Sequence, residues 1–148
     1  AMTDLEKIRG WIATYPDFNI LERFQVDYTD QLPANGGLFP TGMVEVSRAE
    51  DILGNVTVEN QYNFGLYCVL EKAPGDDAGA EINADWVMGF QKWVQEQSVR
   101  GCVPHFGNTQ EKETAKAQNG VLYEQSGEGT AVYMVQLSVQ FKKYFEVI

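Results

Sequence analysis

This sequence predicts an α+β domain, in which a mostly antiparallel, mixed sheet of four to five strands is packed by two helices on one face. Three observations carry the prediction. Two stretches, near residues 3–14 and 83–97, place apolar side chains at helical spacing and so need an apolar partner surface. Two others, 56–70 and 133–147, alternate apolar and polar side chains over lengths unusual for a strand. Finally, 148 residues that are 44% hydrophobic and 12% aromatic can fill one core. A chain of this size buries about two thirds of its extended surface. A single domain over residues 1–148 is expected.

Thr3 and Glu6 form a capping box, and Leu5, Ile8 and Ile12 follow as a stripe that ends near Thr14, before Pro16. Phe24, Val26 and Tyr28 then alternate with polar residues, as Val44 and Val46 do. The two runs are expected to form one broken hairpin joined by NGGLFPTGM, Asn35 to Met43. Three glycines and a proline make that segment a connection. Pro40 restricts Phe39 to extended geometry and permits a cis Phe39–Pro40 bond. Leu38, Phe39 and Met43 still require cover.

From Val56 to Leu70 one parity is apolar, with Asn60 the exception. Such a strand spans roughly 50 Å, so it must bend or project beyond its own domain. Lys72 to Glu81 (KAPGDDAGAE) reads as an exposed loop. Asn83 is the expected N-cap of the second helix, with Ile82 and Val87 as a hydrophobic staple and Gly101 as the stop. Trp86, Phe90, Trp93, Val94 and Gln97 occupy its packing side. The long connection from Val103 to Gly120 suggests a short helix around Glu111 to Ala117, or order gained against a partner. Val121 and Tyr123 begin a strand, SGEGT from Ser126 to Thr130 reverses it, and Tyr133, Val135, Leu137, Val139, Phe141, Phe145 and Val147 share one face. There is no internal repeat.

Eleven basic and 21 acidic residues give a formal charge of −10, which repels a phosphate backbone and argues against sequence-specific nucleic-acid binding. Lys142 and Lys143 adjoin Tyr144 and Phe145, but strand alternation splits them between two faces. No membrane partner is expected, because no run approaches the ~18 consecutive apolar residues of a span. Two cysteines and no signal-like apolar start favour an intracellular setting. Ala1 ahead of Met2 reads as an expression remnant.

Chemistry-bearing residues are sparse. Cys102 and the single histidine, His105, share the segment CVPHFG, which raises a thiol–imidazole pair or a metal site. Thiol catalysis needs a base that activates the nucleophile, and zinc needs about four ligands. Sequence proximity is the only support, and strand parity puts Cys68 on the core face. The pairs Asp27 and Asp30, Glu50 and Asp51, and Asp76 and Asp77 read as hydrated surface carboxylates. NGGLFPTGM has no phosphate-loop pattern and no basic residue. No catalytic residue, metal ligand or cofactor is expected. A small Cys/His enzyme and a ligand-binding module under the helices stand as alternatives.

Four segments resemble the phage and prophage tail-terminator and minor capsid proteins of head-to-tail joining. They are GLFPTGMVEVSR (Gly37 to Arg48), VENQYNFGLY (Val58 to Tyr67), WVMGFQKWVQEQ with PHFG (within Trp86 to Gly107), and NGVLYEQSGEG with YMVQLSVQFKKYFE (within Asn119 to Glu146). The resemblance implies a small fold with a sheet flanked by helices, and no enzymatic activity. It also implies self-association as a hexameric ring on the tail tube, with the tail-tube protein and the head connector as partners. The location would be the virion tail or head–tail junction, with assembly in the host cytoplasm. Another head-completion or tube-building protein is the nearest alternative. The candidate protein interface is Leu38, Phe39, Pro40 and Met43, and the candidate partner loops are 35–43, 72–81 and 103–118.

Overall fold

The computed structural model describes residues 3–16, 18, 23–26, 35–71, 77–111, 113–125 and 130–147. Its elements are α1 (Asp4–Ile12), β1 (Arg23–Val26), β2 (Asn35–Glu50), β3 (Val56–Glu71), α2 (Asp77–Arg100), β4 (Thr114–Gln125) and β5 (Thr130–Phe145). The architecture is α+β, with strand order β1-β2-β3-β5-β4. Only the short β1 runs parallel to its neighbour, and the other four strands form an open antiparallel sheet.

The helical stripes behave as their spacing requires. Thr3 caps α1 by accepting the Glu6 N–H at 3.2 Å, and Ile8, Trp11 and Ile12 are buried. In α2, Trp86, Val87, Phe90 and Val94 are buried, and Trp93 stacks on Trp11 with ring centroids 5.1 Å apart. Tyr15 closes the interhelical cluster by donating its hydroxyl to the Trp86 carbonyl at 3.1 Å. The C-terminus of α2 is satisfied by two backbone bonds, Gly101 N–H to Ser98 at 3.2 Å and Cys102 N–H to Gln97 at 2.9 Å. These are the paired bonds of a Schellman motif, at the stop predicted for this helix.

Both helices cover the same sheet face. Phe64, Leu66 and Cys68 of β3 meet Val135, Leu137, Val139 and Phe141 of β5 in a single buried cluster with the helices. β3 and β5 remain in uninterrupted antiparallel register from Val56↔Phe145 to Glu71↔Thr130. Asn60, the polar exception in β3, is nevertheless buried. Among the described residues, no helix is long and apolar enough to cross a membrane.

Several local expectations are corrected. The segment Asn35 to Met43 is not a connection but the first half of β2. β1 therefore pairs in parallel with its start, Arg23↔Asn35 to Val26↔Leu38, rather than forming a hairpin with Val44 and Val46. Tyr28 lies outside the described residues. The actual hairpin joins β2 to β3, and its turn is Asp51–Asn55. The glycines in NGGLFPTGM serve strand geometry: Gly36 and Gly37 are buried, and Gly42 takes a φ of 120° at a register shift after Pro40. A residue with a side chain is strained at that φ, so a bulge here needs glycine. The described peptide bonds, Phe39–Pro40 among them, are all trans.

α2 starts at Asp77, which puts residues 77–81 of the expected loop in the helix and leaves Asn83 buried within it rather than capping it. Residues 72–76 and 126–129 lie outside the described set. No helix forms over Glu111 to Ala117, since β4 begins at Thr114 and pairs with β5. Phe145 and Val147 share the predicted parity but are 46% and 58% exposed, because β5 outruns the helices there.

Candidate assembly surface

The length of β2 and β3 creates the most unusual surface of the molecule. The helix-covered cluster uses Leu38 of β2 and extends along β3 only to Phe64 and the partly buried Tyr62. Beyond that point the hairpin continues without helical cover, and every residue from Pro40 to Leu53 is exposed. The long β3 stays paired on both sides here, with β2 and with β5, and its Val58 and Asn60 are buried, so the exposed flank belongs to β2. Met43, Val44 and Val46 are each about half exposed, at 53%, 54% and 49%.

At the tip, Ile52 is fully exposed and Leu53 is 68% exposed. The turn that carries them is nonetheless heavily bonded. The Asp51 side chain accepts the Leu53 and Asn55 N–H groups at 2.9 and 3.0 Å through one oxygen, Oδ1. Backbone bonds join Asp51 N–H to Asn55 and Gly54 N–H to Asp51, at 2.9 and 3.1 Å. Asn55, itself buried, accepts the Val147 N–H at 3.2 Å and so ties the turn to the end of the chain. The fold holds two large aliphatic side chains in water on an ordered turn.

The four predicted interface residues divide along β2. Leu38 is fully buried in the core and presents nothing to a partner. Phe39 is half-buried, with its ring edge-on to Tyr67 at a centroid distance of 5.0 Å, opposite Gly65 in the register. Pro40 and Met43 are exposed. The apolar part of NGGLFPTGM is thus covered from within at one end and open at the other. Sequence reasoning missed the stronger feature, Ile52 and Leu53, whose signal was a pair of aliphatic residues inside a polar turn, AEDILGN.

The loop from Gly101 to Glu113, which overlaps the predicted partner loop 103–118, has an internal role. Glu113 is buried and its Oε1 accepts the Phe106 and Gly107 N–H groups at 2.8 and 2.7 Å. Its Oε2 lies 3.0 Å from His105 Nδ1. Asn108 then meets the Tyr144 backbone twice, donating to its carbonyl at 2.9 Å and accepting its N–H at 2.6 Å. A Cβ on Gly107 would overlap the Lys142 carbonyl, so only glycine lets the loop lie this close to β5. β4 pairs with β5 only as far as Thr114↔Gln140, and the loop takes over beyond it. An edge that would otherwise expose unpaired backbone is closed by side-chain hydrogen bonds.

Cys102 and His105 have different partners. The Cys102 Sγ lies 3.8 Å from the Arg100 carbonyl, whereas His105 is engaged by Glu113. Cys68 is fully buried, and burial pushes its thiol pKa up, away from the reactive thiolate. Among the described residues, no group of three or more His, Cys, Asp or Glu side chains is placed to hold a metal ion. The uncovered sheet face is a shallow groove of about 400 Å³ lined chiefly by amides and hydroxyls. Its amides bond to one another, with Gln140 donating to Gln61 at 2.9 Å and Gln61 donating to Asn63 at 2.7 Å. No family model and no curated protein matches this chain.

Proposed function

We propose that this protein is a non-enzymatic structural component of a phage or prophage particle, of the tail-terminator kind. In this reading it self-associates into a ring at the end of the tail tube and offers a surface to the head connector. The observation that carries the assembly part is the β2–β3 arm, whose ordered turn keeps Ile52 and Leu53 in solvent. Apolar surface that a fold rigidly presents, and does not bury, is suited to a protein partner. The particle context comes from the sequence resemblance of the four segments, two of which, GLFPTGMVEVSR and VENQYNFGLY, lie within the arm's strands. The excess of acidic residues suits a wall that DNA passes without adhering.

Size-exclusion chromatography with light scattering, alone and with the tube protein of the same particle, tests this directly. A multi-subunit species that binds tube ends in electron micrographs is the expected result. A strict monomer at high concentration that also ignores the tube protein would overturn it. Capture of a different particle protein would move the chain to another station of the same assembly.

A further inference from the structure

The two long sides of the molecule carry opposite chemistry. On the β2 side, residues 39–59 hold four carboxylates against one guanidinium; Arg48 binds Glu45 at 2.8 Å and Glu59 stands opposite Lys142, which leaves Glu50 and Asp51 near the tip as the charges open to a partner. Exposed Val44 and Val46 lie in the same stretch. At the other edge of the sheet, a groove of about 490 Å³ runs between α2 and β4. It is lined by two lysines, Lys92 and Lys116, with three glutamines and two alanines, and no carboxylate, and Lys116, on the edge strand, also borders the groove of the uncovered face. Both lysines are exposed. In a chain of net charge −10, a lysine-bearing, acid-free groove is the reverse of the average surface.

We infer that the β2–β3 arm of one copy docks against the α2–β4 edge of a second copy, Lys92 and Lys116 facing the arm's carboxylates while Val44 and Val46 cover the half-buried Ala117. The inference rests on the assembly reading above and gives it a direction. Charge complementarity of this kind selects the partner and fixes its orientation. β2 is interrupted by Pro40 and by register shifts at Pro40/Gly42 and Glu45/Ser47, so side chains rather than an added strand make the contact. β2 and β4 lie on opposite sides of the β3–β5 pair. The contact is therefore head to tail, and every copy keeps one unused arm or groove until a ring closes.

Complementation by mixing tests this, using the full chain in sedimentation velocity. One variant, Val46→Lys, puts a cation on the arm where it would face the groove's lysines, and another, Lys92→Glu with Lys116→Glu, puts anions in the groove where they would face the arm's carboxylates. All three positions are exposed, and unchanged melting curves verify that each variant folds. The wild type is expected to form a multi-subunit species, each variant alone to lose association at least about tenfold, and their equimolar mixture to stop at two subunits. An oligomeric wild type with both variants unaffected would overturn the docking surfaces and leave the assembly reading standing. A wild type that stays monomeric would overturn the docking, and one that also ignores the tube protein would overturn the assembly reading with it. If the monomer also retards duplex DNA, and the double lysine variant does not, the groove belongs to nucleic acid instead.

Discussion

The two ends of the sheet's long strands meet the same problem and solve it differently. Where β5 runs past β4, the loop Gly101–Glu113 folds over the exposed edge, and Glu113 and Asn108 satisfy backbone groups that water would otherwise take. Where β2 runs past β1, beyond the Val26↔Leu38 pair, nothing in the described chain covers it, and the side chains from Pro40 to Leu53 face solvent. One edge is closed by the protein's own residues. The other is ordered and open, and the proposed assembly contact is placed there.

The closed edge should be the more sensitive to mutation. Glu113→Ala leaves the buried Phe106 N–H and its neighbour without an acceptor, so a loss of about 3 kcal/mol is expected in chemical denaturation. Faster hydrogen exchange at the Phe106 and Gly107 amides should accompany it. Asn108→Ala removes two more exposed bonds to Tyr144 and should cost about 1 kcal/mol, with faster exchange at the Tyr144 amide.

Tyr62 marks the boundary where the arm leaves the core. Its hydroxyl donates to Asp4 at 2.7 Å, and this bond, with burial and the Asp4 charge, raises its pKa from 10.0 to about 12. The folded state therefore favours neutral Tyr62. The stability it contributes is complete below pH 10.0 and is lost as pH rises through about 12. Tyr62→Phe should flatten that alkaline decline in pH-dependent melting. An unchanged decline would mean that the tie between α1 and β3 is not what titrates.

Much of this fold was legible in the residues. Strict parity in Val56–Leu70 and Tyr133–Phe141 places the core face, because a strand's side-chain period is two whatever surrounds it. Helix stripes were equally plain. Misreadings arose where a local signal yielded to its tertiary setting. The glycines and proline of NGGLFPTGM resemble a turn, yet pairing with β3 makes them a strand with a bulge. Asp77 to Glu81 looks like loop chemistry but is carried as the first turns of α2. Glu113 gives no sequence signal, since its partners, Phe106 and Gly107, are fixed only when the loop docks. The candidate surface was half visible: the overlong strand was predicted to bend or to project, and of the expected interface Leu38, Phe39, Pro40 and Met43, Pro40 and Met43 are exposed while the tip went unread.

The smallest effect on stability should come from the tip itself, and it bears most directly on the central claim. Ile52→Ser with Leu53→Ser removes side chains that touch little of the fold, so the unfolding free energy should stay within about 0.5 kcal/mol of wild type. Measured on the same samples, self-association or binding to the tube protein should fall sharply. Loss of stability with association intact would contradict the account, because it would make the arm part of the monomer's own core.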